Sequence, residues 1–502
     1  MKWGNYLLLI LVSVFAIWRF MLVSPSMDEF LPYHRIACTD YPFAKEHVYK
    51  ESCTDYKNSI LGISYYRNYL YSGAVSNIFY KPFYWFNQSK YSHYLYGIVA
   101  LICMGWLISR IFLLQRYLML LPICYTPLLY QSLHDAGPIR FALVAHFLLI
   151  MLIVALFNEL KRKKQLLIGV GVCMVVAIAI EDKPFFLYLI PQILILVFVV
   201  LNYKKYQPIE LFIKSNLQSC VLLIGAIAIA MSVTLLFTQV YLWNGKLQPY
   251  IVHLLSMLPD YERGFGRALV AIVTFTFTPL NMADRGFEFT LQERLISTLA
   301  FCPLLFIAGK QIWITRHSYG RYLALAFGAT SFIYFVMKNV HFGHHLIFLH
   351  VPMIIALMLY ANASWRSFIV VLASMTLVVV VTSLQLTFAE VRVEQNPERE
   401  ELFKYLQKPE IARNAVINFS SWGGYYQQSL YGDKNQLVTY IDPLNAKDVF
   451  SLEETRIKLN RSHIINICIR CTREELQKYF NAHTIIQVGP PTMYWRMWKL
   501  SY

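Results

Sequence analysis

Apolar runs long enough to cross a hydrocarbon core of about 30 Å recur along most of this chain, and that repetition leaves few folds open. In lipid each backbone polar group must be satisfied internally, so such runs are expected to be helices. With 57% hydrophobic and only 15% charged residues over 502 positions, the chain lacks the polar surface of a soluble protein. Helices are expected near 5–23, 94–114, 117–133, 139–158, 166–181, 185–201, 219–243, 295–309, 322–338, 344–361 and 368–388. The expected class is therefore an α-helical polytopic membrane protein of about eleven transmembrane helices with a small C-terminal α/β domain. The expected division is 1–391, including an outer loop 24–93, and 392–502.

The connectors sort by charge. Lys161, Arg162, Lys163 and Lys164, then Lys204 and Lys205, then Lys310, Arg316 and Arg321, and finally Arg366 all fall on one side. The excess of Lys and Arg in cytoplasmic loops makes that side the cytoplasm. Alternation then puts the N-terminus inside, and the loop 24–93 and the tail 389–502 outside. The formal net charge of +16 follows at least in part from this orientation and does not point to nucleic acid. Segment 268–280 is too short to span and would put the basic loops on the wrong side, so it reads as re-entrant or interfacial on the outer face. Lys2 precedes the first apolar run, but no small-residue cleavage site follows, so that run reads as a retained helix.

Of the nine cysteines, five fall in expected helices and read as packing groups. Cys38 and Cys53 share the first outer loop, and Cys468 and Cys471 share the tail. For the Cys-x-x-Cys pair three readings stand: a local disulfide, two unpaired thiols on a strand, and metal. Metal is the weakest, because no second pair or His-x-x-His accompanies it. The loop is dense in Tyr, Phe and Trp, from Tyr65 to Tyr91, which suits the bilayer interface. Stretches such as Ile60 to Leu70 read as helices lying along the membrane surface.

The tail changes period. Pro397–Leu406 reads as a helix with Pro in its first turn and acids near its start. Strand-like runs follow at 415–419, 437–441 and 464–467, then a helix opening at Thr472, then a terminal hairpin with turn residues Gly489-Pro490-Pro491. The tail holds no nucleotide-binding glycine fingerprint.

Polar groups gather at the helix ends assigned to the outside. Asp28 and Glu29 follow the first helix; His134, Asp135 and Arg140 occupy one outer turn; Glu181, Asp182 and Lys183 another; Lys338, His341, His344 and His345 a third. Singly, each has an ordinary reading: acids as the counterpart of inside-positive charge, Lys and Arg snorkelling to headgroups, histidines bonded to carbonyls. Together they suggest a shared polar site at the outer surface. The crowded histidines are weak evidence for a metal, and none is assigned.

On these features the chain resembles the GT-C superfamily of membrane glycosyltransferases that use lipid-phosphate-linked sugars. The likeness lies in a cytoplasmic start, an acidic motif early in a long first outer loop, a multi-helix core and a soluble outer tail. Met27-Asp28-Glu29-Phe30 is similar to the Asp-Glu motif of the protein mannosyltransferase and aminoarabinose-transferase-like branches. Gly343-His344-His345-Leu346 with Pro352 resembles their late outer-turn motif, although His345 stands where an aromatic is common. The resemblance implies an inverting transfer of a monosaccharide from a polyprenyl phosphate to an acceptor hydroxyl, with Asp28 as general base. Glu29 would orient the acceptor or support the interfacial helix. Lys183, Arg140, Lys338, His344 and His345 would meet the donor phosphate, and His134, Asp135 and Asp182 would complete the polar site. It implies no nucleotide sugar and no required cofactor, with a divalent cation used by some relatives. The implied partners are the lipid-linked donor, a glycan, lipid or protein acceptor, and the bilayer. The implied location is a bacterial inner membrane with the C-terminal domain periplasmic or extracellular.

Two other classes compete. Envelope polysaccharide polymerases and ligases usually carry their large loop late in the helical array, whereas here it is early and acidic. Transporters usually show inverted repeats and mid-helix charges, which are not visible here. A non-enzymatic assembly protein is the remaining alternative.

Overall fold

The apolar runs fold as helices and the tail as a sheet. The computed structural model describes residues 2–21, 59–60, 63–64, 90–134, 139–158, 163–180, 185–203, 216–237, 290–336, 347–393, 404–406, 408–419, 438–440, 460–469, 471–489 and 495–502, with isolated positions between 214 and 277 and at 401, 453, 456 and 457. The chain divides into two compact units. One holds the first helix and most of the chain from Tyr94 to Ala389, and the other holds a short hairpin and the chain from Glu390 to Tyr502.

The helical unit comprises α1 (Lys2–Met21), α2 (Lys90–Ile111), a 3₁₀ turn Arg116–Leu120, α3 (Leu121–Cys124), α4 (Thr126–His134), α5 (Ile139–Asn158), α6 (Lys163–Ile180) and α7 (Phe185–Asn202). It continues with α8 (Leu217–Phe237), α9 (Leu291–Ile314), α10 (Gly320–Val336), a 3₁₀ turn Ile347–Leu349, α11 (His350–Ala363) and α12 (Trp365–Val393). Among the described residues, four stretches are long and apolar enough to cross a membrane: Trp3–Met21, Tyr94–Ile111, Leu291–Ile314 and Trp365–Phe388. Shorter apolar helices accompany them, such as Leu143–Phe157 and Ile347–Ala363. Helix α9 shows the logic of such a body. Ala300, Phe301, Leu304 and Ile307 turn inward, while Leu291, Leu295, Leu299, Phe306 and Trp313 stay exposed. An apolar stripe of that length left outside is a lipid-facing surface. The chain is an integral membrane protein.

Three sequence expectations change. The run 117–133 is not one helix: it breaks into the 3₁₀ turn, α3 and α4, with Tyr125 extended at φ −89°, ψ 101°. Pro122 and Pro127 lack the N–H that would continue a preceding helix, yet fit the first turn of a new one, so each starts a short helix. The described part of the run 344–361 opens as a 3₁₀ turn, Ile347–Leu349, before α11 starts at His350. Finally, Ile60 does not open an interfacial helix. Ser59–Ile60 (β1) and Ile63–Ser64 (β2) pair antiparallel, with Ile60 opposite Ile63. β-branched residues flanking a two-residue connection that contains Gly62 favour a hairpin over a helix.

Segment 268–280 is helical at its described positions, and Ile272 packs into the helical core. Helix α2 approaches its neighbours at two glycines. A Cβ on Gly97 would strike the main-chain carbonyl of Ser132 in α4, and one on Gly105 that of Met119 in the 3₁₀ turn.

Aromatic pairs and one side-chain hydrogen bond join helix ends. Tyr6 meets Tyr117 (ring centroids 5.9 Å) and Tyr117 meets Phe368 (5.2 Å). Phe112 meets Tyr203 (5.7 Å), Tyr203 meets Tyr319 (5.0 Å), and Phe198 meets Tyr322 (4.5 Å). The amide of Gln115 donates to Asn362 Oδ1 at 3.0 Å. Each of these joins helix ends that the basic loops assign to the same side.

The second unit contains α13 (Pro409–Asn414), β3 (Ala415–Phe419), β4 (Val438–Tyr440), β5 (His463–Ile469), α14 (Arg473–Tyr479), β6 (Thr484–Val488) and β7 (Trp495–Ser501). Its five strands lie in the order β4-β3-β5-β7-β6. β3 runs parallel to β4 and β5, while β7 runs antiparallel to β5 and β6. β3 and β5 are buried on both faces: Val416 and Ile464 on one, Ile417 and Ile465 on the other. That explains their nearly unbroken apolar sequence. In the middle of this sheet, Asn418 Nδ2 donates to Asn466 Oδ1 at 2.7 Å. α14 starts with a full capping box between Thr472 and Glu475. Just before it, Cys468 and Cys471 form a disulfide, which settles the three readings of that pair.

Candidate functional site

Within the helical unit, polar side chains are few, and three sets of them tie separate helices together. At the break between α3 and α4, the Tyr125 hydroxyl is hydrogen-bonded to His350 Nδ1 at 2.7 Å. Both side chains are buried, and Phe301 of α9 packs on each. One residue earlier, Cys124 Sγ lies 3.4 Å from Ser13 Oγ of α1. On α7, Gln192 Nε2 donates to Thr330 Oγ1 of α10 at 2.9 Å and to the Phe348 carbonyl at 3.1 Å.

A third set lies at the helix ends assigned to the outside. Arg19, in the last turn of α1, donates from Nε to Ser383 Oγ (3.4 Å) and from Nη2 to Thr387 Oγ1 (3.1 Å) on α12. Its guanidinium also lies 5.5 Å from the Trp18 ring centroid. Gln385, on the same stretch of α12, donates to the Glu293 carbonyl at the start of α9 at 2.8 Å. Glu293 itself closes a capping box with Thr290. The ends of α1, α9 and α12 that the basic loops assign to the outside are thus held together by side-chain hydrogen bonds.

Most of the residues that the sequence assigns to chemistry lie outside the described residues: Asp28, Glu29, Asp135, Asp182, Lys183, Lys338, His344 and His345, along with Glu181 and His341. His134 closes α4 and Arg140 stands in the first turn of α5, so these two flank one turn. The elements that lead into the remaining turns are described. The turn 181–184 joins α6 to α7, and the turn 337–346 joins α10 to the 3₁₀ turn Ile347–Leu349. α7 packs on both α5 and α10, so all three turns spring from neighbouring helices. Among the described residues, no group of three or more His, Cys, Asp or Glu side chains gathers as a metal site would.

Sequence reasoning missed Arg19, Gln192, Tyr125 and His350. A signal existed for the first two: a lone cation in the last turn of an apolar helix, and a lone amide in the middle of one. Neither reveals its partners. In the sheet unit, His463 Nδ1 is 2.7 Å from Ser462 Oγ. Burial, with the Lys499 charge as a lesser cause, holds this histidine down to about 4.

No family model matches the sequence, and no curated protein matches it. Solved structures do. ArnT from Cupriavidus metallidurans bound to undecaprenyl phosphate superposes over 99% of this chain and 98% of its own, with a TM-score of 0.54 at 10% identity. ArnT from the same organism in the apo state covers the same shares with a TM-score of 0.51 at 9% identity. The chain has the GT-C fold. An Archaeoglobus fulgidus oligosaccharyltransferase tethered to an acceptor peptide also matches over 93% of this chain and 69% of its own, at 14% identity, but its TM-score of 0.44 is too low to argue from. A GT-C fold retained at about one identical residue in ten means that packing, rather than residue identity, carries the architecture.

Proposed function

We propose that this GT-C chain is a membrane glycosyltransferase that moves a monosaccharide from a polyprenyl phosphate to an acceptor hydroxyl on the outer face. The observation that carries the reading is the end-to-end match to a structure that holds undecaprenyl phosphate. The acidic Asp28-Glu29 pair after α1, and the cation-bearing turns on neighbouring helices, supply the chemistry.

In this reading Asp28 takes the proton from the acceptor hydroxyl as its oxygen attacks the anomeric carbon, and the configuration inverts. Glu29 orients the acceptor. The leaving polyprenyl phosphate is already a stable anion, so it needs neighbouring cations more than a general acid. Lys183, Arg140, Lys338, His344 and His345 supply them. His134, Asp135 and Asp182 complete the polar site. No cofactor is required, and a divalent cation would act on the phosphate if one binds. The chain would cross a bacterial inner membrane about eleven times, with its N-terminus in the cytoplasm. Residues 1–391, with the loop 24–93, would form the catalytic part, and 392–502 an extracytoplasmic domain that contacts the acceptor, which is a glycan, a lipid or a protein.

The test is Asp28→Asn in the full-length protein, assayed for release of polyprenyl phosphate from a lipid-linked sugar. Loss of the base lowers the rate by about 10²–10⁴-fold while lipid-phosphate binding persists. Turnover at the wild-type rate rejects Asp28 as the base.

A further inference from the structure

Arg19 stands near the end of the apolar stretch Trp3–Met21, and its partners Ser383 and Thr387 stand near the end of the stretch Trp365–Phe388. The guanidinium therefore lies at the level where two spans leave the hydrocarbon and lipid headgroups begin. An arginine placed there only for its charge would snorkel to water along its own helix. This one reaches sideways to α12, and it meets two hydroxyls rather than an acid.

Each hydroxyl has already committed its proton. Ser383 Oγ donates to the Val380 carbonyl at 3.0 Å, and Thr387 Oγ1 to the Ser383 carbonyl at 2.9 Å. Toward Arg19 both can only accept. They orient the guanidinium and leave its charge whole. Nε and Nη2 make up one edge of the planar fork, and that edge is turned to α12. The other edge, Nη1 with the second hydrogen of Nη2, has no hydrogen-bond partner among the described residues, and no carboxylate among them pairs with Arg19. Such an edge matches two oxygens of a phosphate.

From the cation, exposed apolar side chains continue into both spans. Val14, Leu11 and Leu7 follow Trp18 along α1 at the spacing of one helix face, and Leu384 and Leu377 follow Phe388 along α12. Trp18, over which the guanidinium lies, belongs to the headgroup level by its own chemistry. An oriented cation at the end of apolar rails matches a molecule with an anionic head and hydrocarbon chains.

We propose that Arg19, held by Ser383 and Thr387, is a binding site for the phosphodiester of an anionic bilayer phospholipid, whose acyl chains lie along the exposed faces of α1 and α12. The site does not depend on the proposed function or on which leaflet faces the cytoplasm. A lipid seated there braces the first helix of the unit against the last.

The experiment measures binding of dioleoyl phosphatidylglycerol to the full-length protein in detergent by native mass spectrometry. Dioleoyl phosphatidylcholine, undecaprenyl phosphate and inorganic phosphate serve as comparison ligands. The wild-type protein is expected to retain phosphatidylglycerol in preference to phosphatidylcholine. Arg19→Gln can still donate to one hydroxyl but carries no charge, and it should weaken phosphatidylglycerol binding roughly tenfold, the worth of one charge-assisted hydrogen bond, with undecaprenyl phosphate binding unchanged. Thr387→Val keeps the charge and loosens its orientation, and it should weaken binding about two- to fourfold. Unchanged phosphatidylglycerol affinity in Arg19→Gln overturns the proposal, as does equal retention of the two phospholipids by the wild type. Full displacement of phosphatidylglycerol by inorganic phosphate, or a parallel loss of undecaprenyl phosphate in Arg19→Gln, also overturns it, the first by making this a site for free anions and the second by assigning Arg19 to the polyprenyl lipid. Should Arg19→Gln fail to fold, Thr387→Val decides by the same criteria.

Discussion

The helical unit and the sheet unit both bury amides and histidines, but they pay for them against different reference states. Gln192, Tyr125 and His350 sit in an apolar body whose separated helices would still lie in lipid and still find local partners. Asn418 and Asn466 sit in a sheet whose unfolded strands would be fully hydrated. The same hydrogen bond is therefore worth less to the stability of the helices, where it averages about 0.6 kcal/mol, than its loss costs a sheet that leaves a buried group exposed to no solvent. In the helical unit such bonds choose which helices meet and at what level, while apolar packing and close backbone approach supply the holding force.

The variant that presses hardest on that contrast is Gly97→Leu. Its side chain would run into the Ser132 main-chain carbonyl, which cannot rotate aside. A loss of about 1–3 kcal/mol or more is expected, seen as a fall in monodisperse yield from detergent and in unfolding temperature. Next comes Asn466→Ala, which takes the acceptor from Asn418 Nδ2 in the sheet. It should cost about 1–3 kcal/mol, read from hydrogen exchange across β3 and β5. Tyr125→Phe removes one hydroxyl from His350 and should cost about 0.6 kcal/mol, and at most about 1.7, in thermal unfolding. If Tyr125→Phe proves costlier than Asn466→Ala, the contrast between the two units fails.

The smallest effect is a pH dependence confined to the sheet. His463 is held at about 4 in the fold and returns to about 6.5 when unfolded. The unfolded chain therefore binds the extra proton first. The contribution is fully present above about pH 6.5 and is lost as the pH falls toward the folded value. Exchange protection of β5 should fall across that window, and His463→Gln should flatten the response.

The sequence disclosed the two architectures unequally. In the tail, short apolar runs placed β3, β4 and β5 within a residue or two of where they lie, turn residues placed the hairpin of β6 and β7, and Thr472 announced α14. In the helical part, the long runs that became α2, α5, α7 and α12 were visible as apolar length. Apolar length does not register a break, so Pro122 and Pro127 were absorbed into a single run although each begins a new helix. The candidate site was legible as composition: acids, histidines and cations collected at one set of helix ends. What ties those ends together was not legible, because Gln192 meets Thr330 138 residues away and Phe348 156 residues away. A lone amide in an apolar helix has no period from which such a partner could be inferred. Arg19 and its hydroxyl partners on α12 were hidden for the same reason.

The two glycines of α2 have a further consequence. Where Gly97 faces Ser132 and Gly105 faces Met119, backbone meets backbone with no side chain between. Such a joint has no rotamers to freeze when it forms and none to choose among afterwards, so its geometry does not drift as neighbouring apolar residues are exchanged. A saturation scan of the helical unit should find long stretches where Leu, Ile, Val and Phe substitute for one another at little cost, interrupted at positions 97 and 105 by sites where almost nothing but glycine survives. Such tolerance around fixed backbone contacts would let a sequence diverge almost completely while its helices keep the same spacing.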